Sequence, residues 1–223
     1  MYQLIIFDWD GTLMDSAQKI ANCIKAAANQ CDLPEPSDQQ AKNIIGLGLH
    51  EAMNRLFPRA THAQLLDLVE NYKYQFVTAD DTKQDLFDGV ELGLHKLQEA
   101  GAVLAVATGK SRAGLDRVFA NSDLKEYFIT SRCADESRNK PDPQMLYEIL
   151  DFTSIDADKV VMVGDTTYDM DMANNAGVAG LGVGYGVHSH EDLLASNALH
   201  VANSFAELID WLLDARIEKA YDE

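Results

Sequence analysis

The chain has 223 residues, 47% of them hydrophobic, which suffices for one large domain or for a core that carries a smaller inserted one. Its 36 acidic and 18 basic residues give a formal charge of −18, a balance that repels nucleic acid and anionic membranes, whose binding needs Lys and Arg. No apolar run approaches the roughly 20 residues that cross a bilayer, and Cys23, Cys31 and Cys133 form no C-x-x-C pair and no even disulfide set; a soluble cytoplasmic protein with reduced thiols is expected.

The first predicted element is a buried strand, Leu4–Phe7, followed at once by Asp8-Trp9-Asp10-Gly11-Thr12. From Ser16 to about Gln84 only helical patterns occur. One covers 17–29 behind a Ser16 cap; another covers 62–79 behind Thr61, with Leu65, Leu68, Val69, Tyr72 and Phe76 on one face. A helical block of this size predicts an inserted cap domain over residues 16–84, with a loop at 34–37 and a core made of 1–15 and 85–223. Within the block, Gly46-Leu47-Gly48-Leu49-His50 is a glycine-rich link between two helical patterns.

Strands and helices then alternate. A helix over 89–100 stops at Gly101, and a strand over 103–107 runs into Thr108-Gly109-Lys110. Lys140-Pro141 precedes Asp142 and Pro143, an N-cap and first-turn pair for a helix over 144–151. A strand over 160–163 leads to Gly164 and Asp165, with Asp169 one turn on; a strand Ala179–Val183 and a closing helix Phe205–Leu213 complete the chain. Such alternation predicts an α/β fold with a doubly wound, Rossmann-like parallel sheet.

Sheets of this kind bind ligands beyond the carboxyl ends of their strands. Taken singly, Asp8 and Asp10 read as turn residues, Asp165 as a cap, Asp169 as a surface acid and Lys140 as a surface lysine. Taken together they fall at one edge of one sheet. Carboxylates gathered there repel unless a cation sits between them, and oxygen ligands without histidine favour Mg²⁺. A carboxylate can attack phosphorus to give an aspartyl-phosphate, while a hydroxyl and an ammonium hold the remaining oxygens.

D-W-D-G-T, T-G, K-P and G-D-T-T-Y-D resemble the four motifs of the haloacid dehalogenase-like (HAD) hydrolase superfamily, and a helical insertion after the first motif resembles its phosphoglycolate phosphatase-like branch. The resemblance implies that Asp8 is the nucleophile and Asp10 the general acid and base. It implies Mg²⁺ on the Asp8 carboxylate, the Asp10 carbonyl and Asp165, with Asp169 as support or further ligand. Thr108, the Gly109 amide and Lys140 would bind the phosphoryl group. Trp9, bulkier than the usual occupant between the two acids, is expected to point away from the site. True dehalogenases of the superfamily lack the second acid, so Asp10 implies phosphoryl transfer from a small phosphorylated metabolite. Phosphoglycolate is the leading substrate, with nucleotides, sugar phosphates and pyrophosphate open and a phosphomutase using the same residues. His50 and Lys42 are candidate substrate contacts in the inserted block, and Lys110 and Arg112 candidates for a second anionic group. A phospho-receiver domain or a non-catalytic binding protein are the readings from other classes. The sequence does not fix an oligomeric state.

Overall fold

The computed structural model describes residues 2–214. In chain order the strands are β1 (Leu4–Phe7), β2 (Met14–Asp15), β3 (Asp85–Leu86), β4 (Val103–Thr108), β5 (Thr130–Cys133), β6 (Val160–Gly164), β7 (Ala179–Val183) and β8 (His200–Ala202). The α-helices are α1 (Ala17–Gln30), α2 (Asp38–Lys42), α3 (Leu49–Leu56), α4 (His62–Tyr74), α5 (Val90–Glu99), α6 (Arg112–Ala120), α7 (Gln144–Thr153), α8 (Thr167–Ala176), α9 (His190–Ala195) and α10 (Phe205–Leu213). Six strands form one parallel sheet in the order β5-β4-β1-β6-β7-β8. The chain leaves β1 toward β4 and β5, then returns to place β6 on the other side of β1, so a crevice opens beyond the ends of β1 and β6.

Strand periodicity divides the core. Ile5, Phe7, Leu104, Val106, Val161 and Val163 face α5, α6 and α10, where Leu94, Leu115 and Leu208 meet them. Their alternates Leu4, Ile6, Ala105, Val160 and Met162 face α7 and α8. Both faces are therefore covered, and the central strands are apolar throughout. Trp9 belongs to the first face, fully buried and edge-on to Phe119 at 5.4 Å between centroids, directed away from the strand-end acids as expected.

Between β2 and β3, which pair antiparallel, the chain is helical and assembles its own apolar cluster from Ile20, Ile24, Ile44, Met53 and Leu68. Ser37 and Thr61 each close a capping box at the start of α2 and α4. Three local expectations change. The long helix over 62–79 ends as α4 at Tyr74 and continues as a π-helical turn, Gln75–Ala79. Ser16 caps nothing with its side chain; its hydroxyl donates to Asp10 instead, at 2.5 Å. The helix after Asp142 begins at Gln144, with Pro143 in the capping position, and Asp142 accepts the Gln144 amide at 3.0 Å. Among the described residues no helix is long and apolar enough to cross a membrane.

Candidate active site

The ends of β1, β4 and β6 and the first turn of α8 deliver the polar groups. Asp8 follows β1, its amide bonded to the Val163 carbonyl of β6 at 2.9 Å, which sets it beside the end of that strand. Asp165 follows β6 and accepts from the Thr12 hydroxyl at 3.0 Å and from the Val187 amide at 2.9 Å. Asp169 occupies the third position of α8, where one carboxylate oxygen accepts both the Thr166 amide, at 3.1 Å, and the Thr166 hydroxyl, at 2.7 Å. Local helix capping thus orients an acid whose other oxygen faces the crevice. Oxygens of Asp8, Asp165 and Asp169 lie within 4.8 Å of one another, all three side chains buried.

Among the described residues, one cation answers this cluster. Lys140 Nζ lies 2.9 Å from Asp8 Oδ1 and 2.7 Å from Asp169 Oδ1, in contacts poorly aligned as hydrogen bonds. Burial alone would lower the Lys140 pKa, but the two carboxylates outweigh it and hold the ammonium above the usual lysine range. Burial pushes the Asp8 carboxyl up to about 7, Lys140 opposing and Asp169 and Asp10 reinforcing the rise. Asp165 is raised well above its ordinary value by burial and then by Asp169 and Asp8. When all three carboxylates are ionised, the one ammonium leaves two negative charges unanswered, which is what these upward shifts express, and Asp8 Oδ2 is buried with no hydrogen-bond partner among the described residues. A small divalent cation with a taste for oxygen ligands fits that deficit.

Asp10 stands apart from the acidic triad. Its Oδ1 accepts from Ser16 and meets Lys110 Nζ at 2.8 Å. Thr108, buried at the end of β4, accepts the Lys110 amide at 3.2 Å. Gly109 lies under the 46–48 loop: a Cβ there would stand 2.6 Å from the Gly46 carbonyl oxygen and 2.7 Å from that of Leu47, so only glycine admits the loop this close. The same loop meets Asn139 through Gly48, where a Cβ would clash. Tyr168 of α8 completes the contact, donating to the Asn43 carbonyl at 3.0 Å.

A cavity of about 560 Å³ lies between the strand ends and the helical block, with Asp8, Asp10, Thr108, Gly109 and Lys110 on one wall. His50, the second residue of α3, lines it as an exposed residue. Lys42, the last residue of α2, does not line it. Nor does Arg112, which is committed to Glu136 at 2.8 Å and to Ser131.

Residues 5–183 match the family described as haloacid dehalogenase-like hydrolase. The chain belongs to that family. A protein of Dickeya dadantii (strain 3937) named probable phosphatase IndB is 31% identical to this hydrolase over 214 residues, covering 94% of the chain and 93% of the relative. A phosphoglycolate phosphatase of Vibrio parahaemolyticus is 28% identical over 217 residues, covering 93% and 95%. The solved structure of a haloacid dehalogenase-like hydrolase from Bacteroides fragilis superposes with a TM-score of 0.86 at 23% identity, over 93% of this chain and all of that one. The parallel sheet with helices on both faces is the fold of that structure.

Sequence reasoning passed over several groups that the hydrolase places at the site. Ser16 looked like a helix cap, and a hydroxyl ahead of a helix carries no mark of bonding an upstream acid. Thr12 and Val187 hold Asp165; Thr12 sits inside the first motif, whereas the Val187 amide has no side-chain signature at all. Asn139 adjoins the K-P pair and needed the 46–48 loop to show its part.

Proposed function

We propose that this hydrolase is a Mg²⁺-dependent phosphatase that cleaves a small phosphomonoester through an aspartyl-phosphate on Asp8. The observation that carries the reading is the buried charge deficit around Asp8, with one of its oxygens left without a partner beside Asp165 and Asp169. Asp8, Asp165 and Asp169 would hold the cation, together with the Asp10 carbonyl; bound there, Mg²⁺ supplies charge neutralisation to the phosphoryl oxygens.

The residues then divide the chemistry. Asp8 attacks phosphorus as the bond to the leaving oxygen breaks, and Asp10 gives that oxygen its proton. Water, losing a proton to Asp10, next attacks the phosphoaspartate and releases phosphate. Thr108, the Gly109 amide and Lys140 hold the non-bridging oxygens, where the transferring group carries its charge. Ser16 and Lys110, both on Asp10 Oδ1, fix the rotamer of the acid. The helical block between β2 and β3 serves as a cap that excludes water when its glycine loop sits on Gly109.

The test is phosphate release from a panel of phosphorylated metabolites, with phosphoglycolate as reference because a relative bears its name. Each compound is run with Mg²⁺, with chelator and with Asp8→Asn. Turnover should fall at least about 10⁴-fold in the variant, as for loss of a catalytic nucleophile, and should vanish with chelator. Appreciable activity in Asp8→Asn would sink the assignment.

A further inference from the structure

We infer that the alcohol this hydrolase releases is uncharged and largely apolar, rather than a carboxylate-bearing fragment such as glycolate. The inference rests on the phosphatase reading and adds the substrate class. It comes from the far wall of the cavity. Opposite Asp8 and Asp10 the chamber is built by Ile20, Ile24, Ile44, Met53, Tyr72 and Phe76, all contributed by the helical block. Tyr72 and Phe76 stack with centroids 5.8 Å apart and planes 29° from parallel, giving an aromatic surface. The π-helical turn that begins at Gln75 falls within this surface, and such turns inserted at the end of a helix re-aim the side chains they carry.

Charge points the same way. A carboxylate enclosed here would need a counter-ion. Lys110 is engaged by Asp10 at 2.8 Å and lies 5.3 Å from the centre of the Phe76 ring. Lys73 is exposed and paired with Glu70 at 2.7 Å, and Arg117 and His50 are exposed. Asp8 and Asp10 add negative charge to the same space. A second anionic group would therefore meet these two acids and the exposed Asp135, and no uncommitted buried cation, whereas an alkyl or aryl group would meet matching walls. At about 560 Å³ the chamber falls in the range that encloses a mid-sized organic group, on the order of 300–1,000 Å³. A glycolate fragment would leave most of it to water, which apolar walls hold poorly.

The experiment is a chain-length series: ethyl, butyl and hexyl phosphate, with benzyl phosphate and 2-phosphoglycolate, on the full chain with Mg²⁺. Each methylene carries about 0.8 kcal/mol of transfer free energy, so kcat/KM should climb roughly 4-fold per added CH₂, and hexyl and benzyl phosphate should surpass phosphoglycolate. Phe76→Ser and Ile24→Thr should flatten the climb with chain length. A flat series, or preference for phosphoglycolate, overturns the inference and leaves the phosphatase reading standing. If no compound is turned over, that reading fails instead. Calorimetry of hexylphosphonate against carboxymethylphosphonate on Asp8→Asn with Mg²⁺ still decides the cavity question, tighter binding of the carboxylated ligand counting against the proposal.

Discussion

The two walls of the cavity are made by opposite means. On the sheet side Asp8, Thr108 and Asp165 stand at the ends of buried strands, and their positions are fixed by parallel pairing on both sides, as when Phe7 pairs with Val106 and Val163. On the helical side the wall consists of apolar side chains from α1, α3 and α4, with the 43–48 link between α2 and α3, and it is placed by packing and by one loop seated on Gly109. Strand pairing leaves no latitude, since a slip of one residue reverses every side chain. Helix packing accepts exchange of apolar side chains of similar volume. On the proposed phosphatase reading, reaction chemistry belongs to the rigid wall and selectivity to the adaptable one.

Breaking the rigid wall should cost most. Lys140→Met removes the one buried ammonium among three carboxylates, and stripping a buried charge of its partner costs about 3–5 kcal/mol; urea unfolding in chelator should show a loss of that order, with turnover abolished. Next comes the contact between the walls. Gly109→Ala puts a methyl 2.6 Å from the Gly46 carbonyl and should lift the loop. We expect kcat/KM to drop roughly 10–100-fold, in line with small misplacements at an active site, with the unfolding midpoint nearly unchanged. A midpoint that falls with the activity would mean that the loop is part of the core rather than a lid.

A smaller effect concerns pH. In the metal-free protein Asp8 is pushed up to about 7, above its ordinary 3.8. The folded state thus keeps a proton that the unfolded state gives up near pH 4. Stability from this group is full below about pH 4 and declines as pH rises to about 7. Mg²⁺ should reverse the loss, so the rise in Tm on adding Mg²⁺ should be larger at pH 8 than at pH 5; a pH-independent rise would place the cation away from Asp8. Smallest is Tyr168→Phe, which deletes the hydrogen bond to Asn43 and should cost about 1 kcal/mol, read by denaturant titration.

Legibility followed the same division. Asp8, Thr108 and Asp165 could be found from sequence because each directly follows an apolar run whose burial is evident from composition. β5, with the sequence TSRC, is a sheet edge too polar to register as a strand, and β8 is three residues long. Tyr72 and Phe76 fell correctly on one helical face, but their role as a chamber wall depends on α1, α3 and α4 meeting and on the π-helical turn, neither of which has a local pattern. Lys42 was a candidate through the resemblance of the inserted block to a cap, and Arg112 through its charge just past Thr108; that neither lines the cavity, and that Arg112 pairs with Glu136, are tertiary facts.

β2 and β3 have one further consequence. Met14 pairs with Leu86 and Asp15 with Asp85, so the polypeptide enters and leaves the helical block at adjacent points. An insertion with neighbouring ends can be exchanged without rethreading the sheet. If the helical block sets the alcohol preference as proposed, a graft made across this two-residue ribbon would carry that preference onto an unchanged set of acids. New specificities can therefore arise in this architecture by replacement of a module as well as by point substitution.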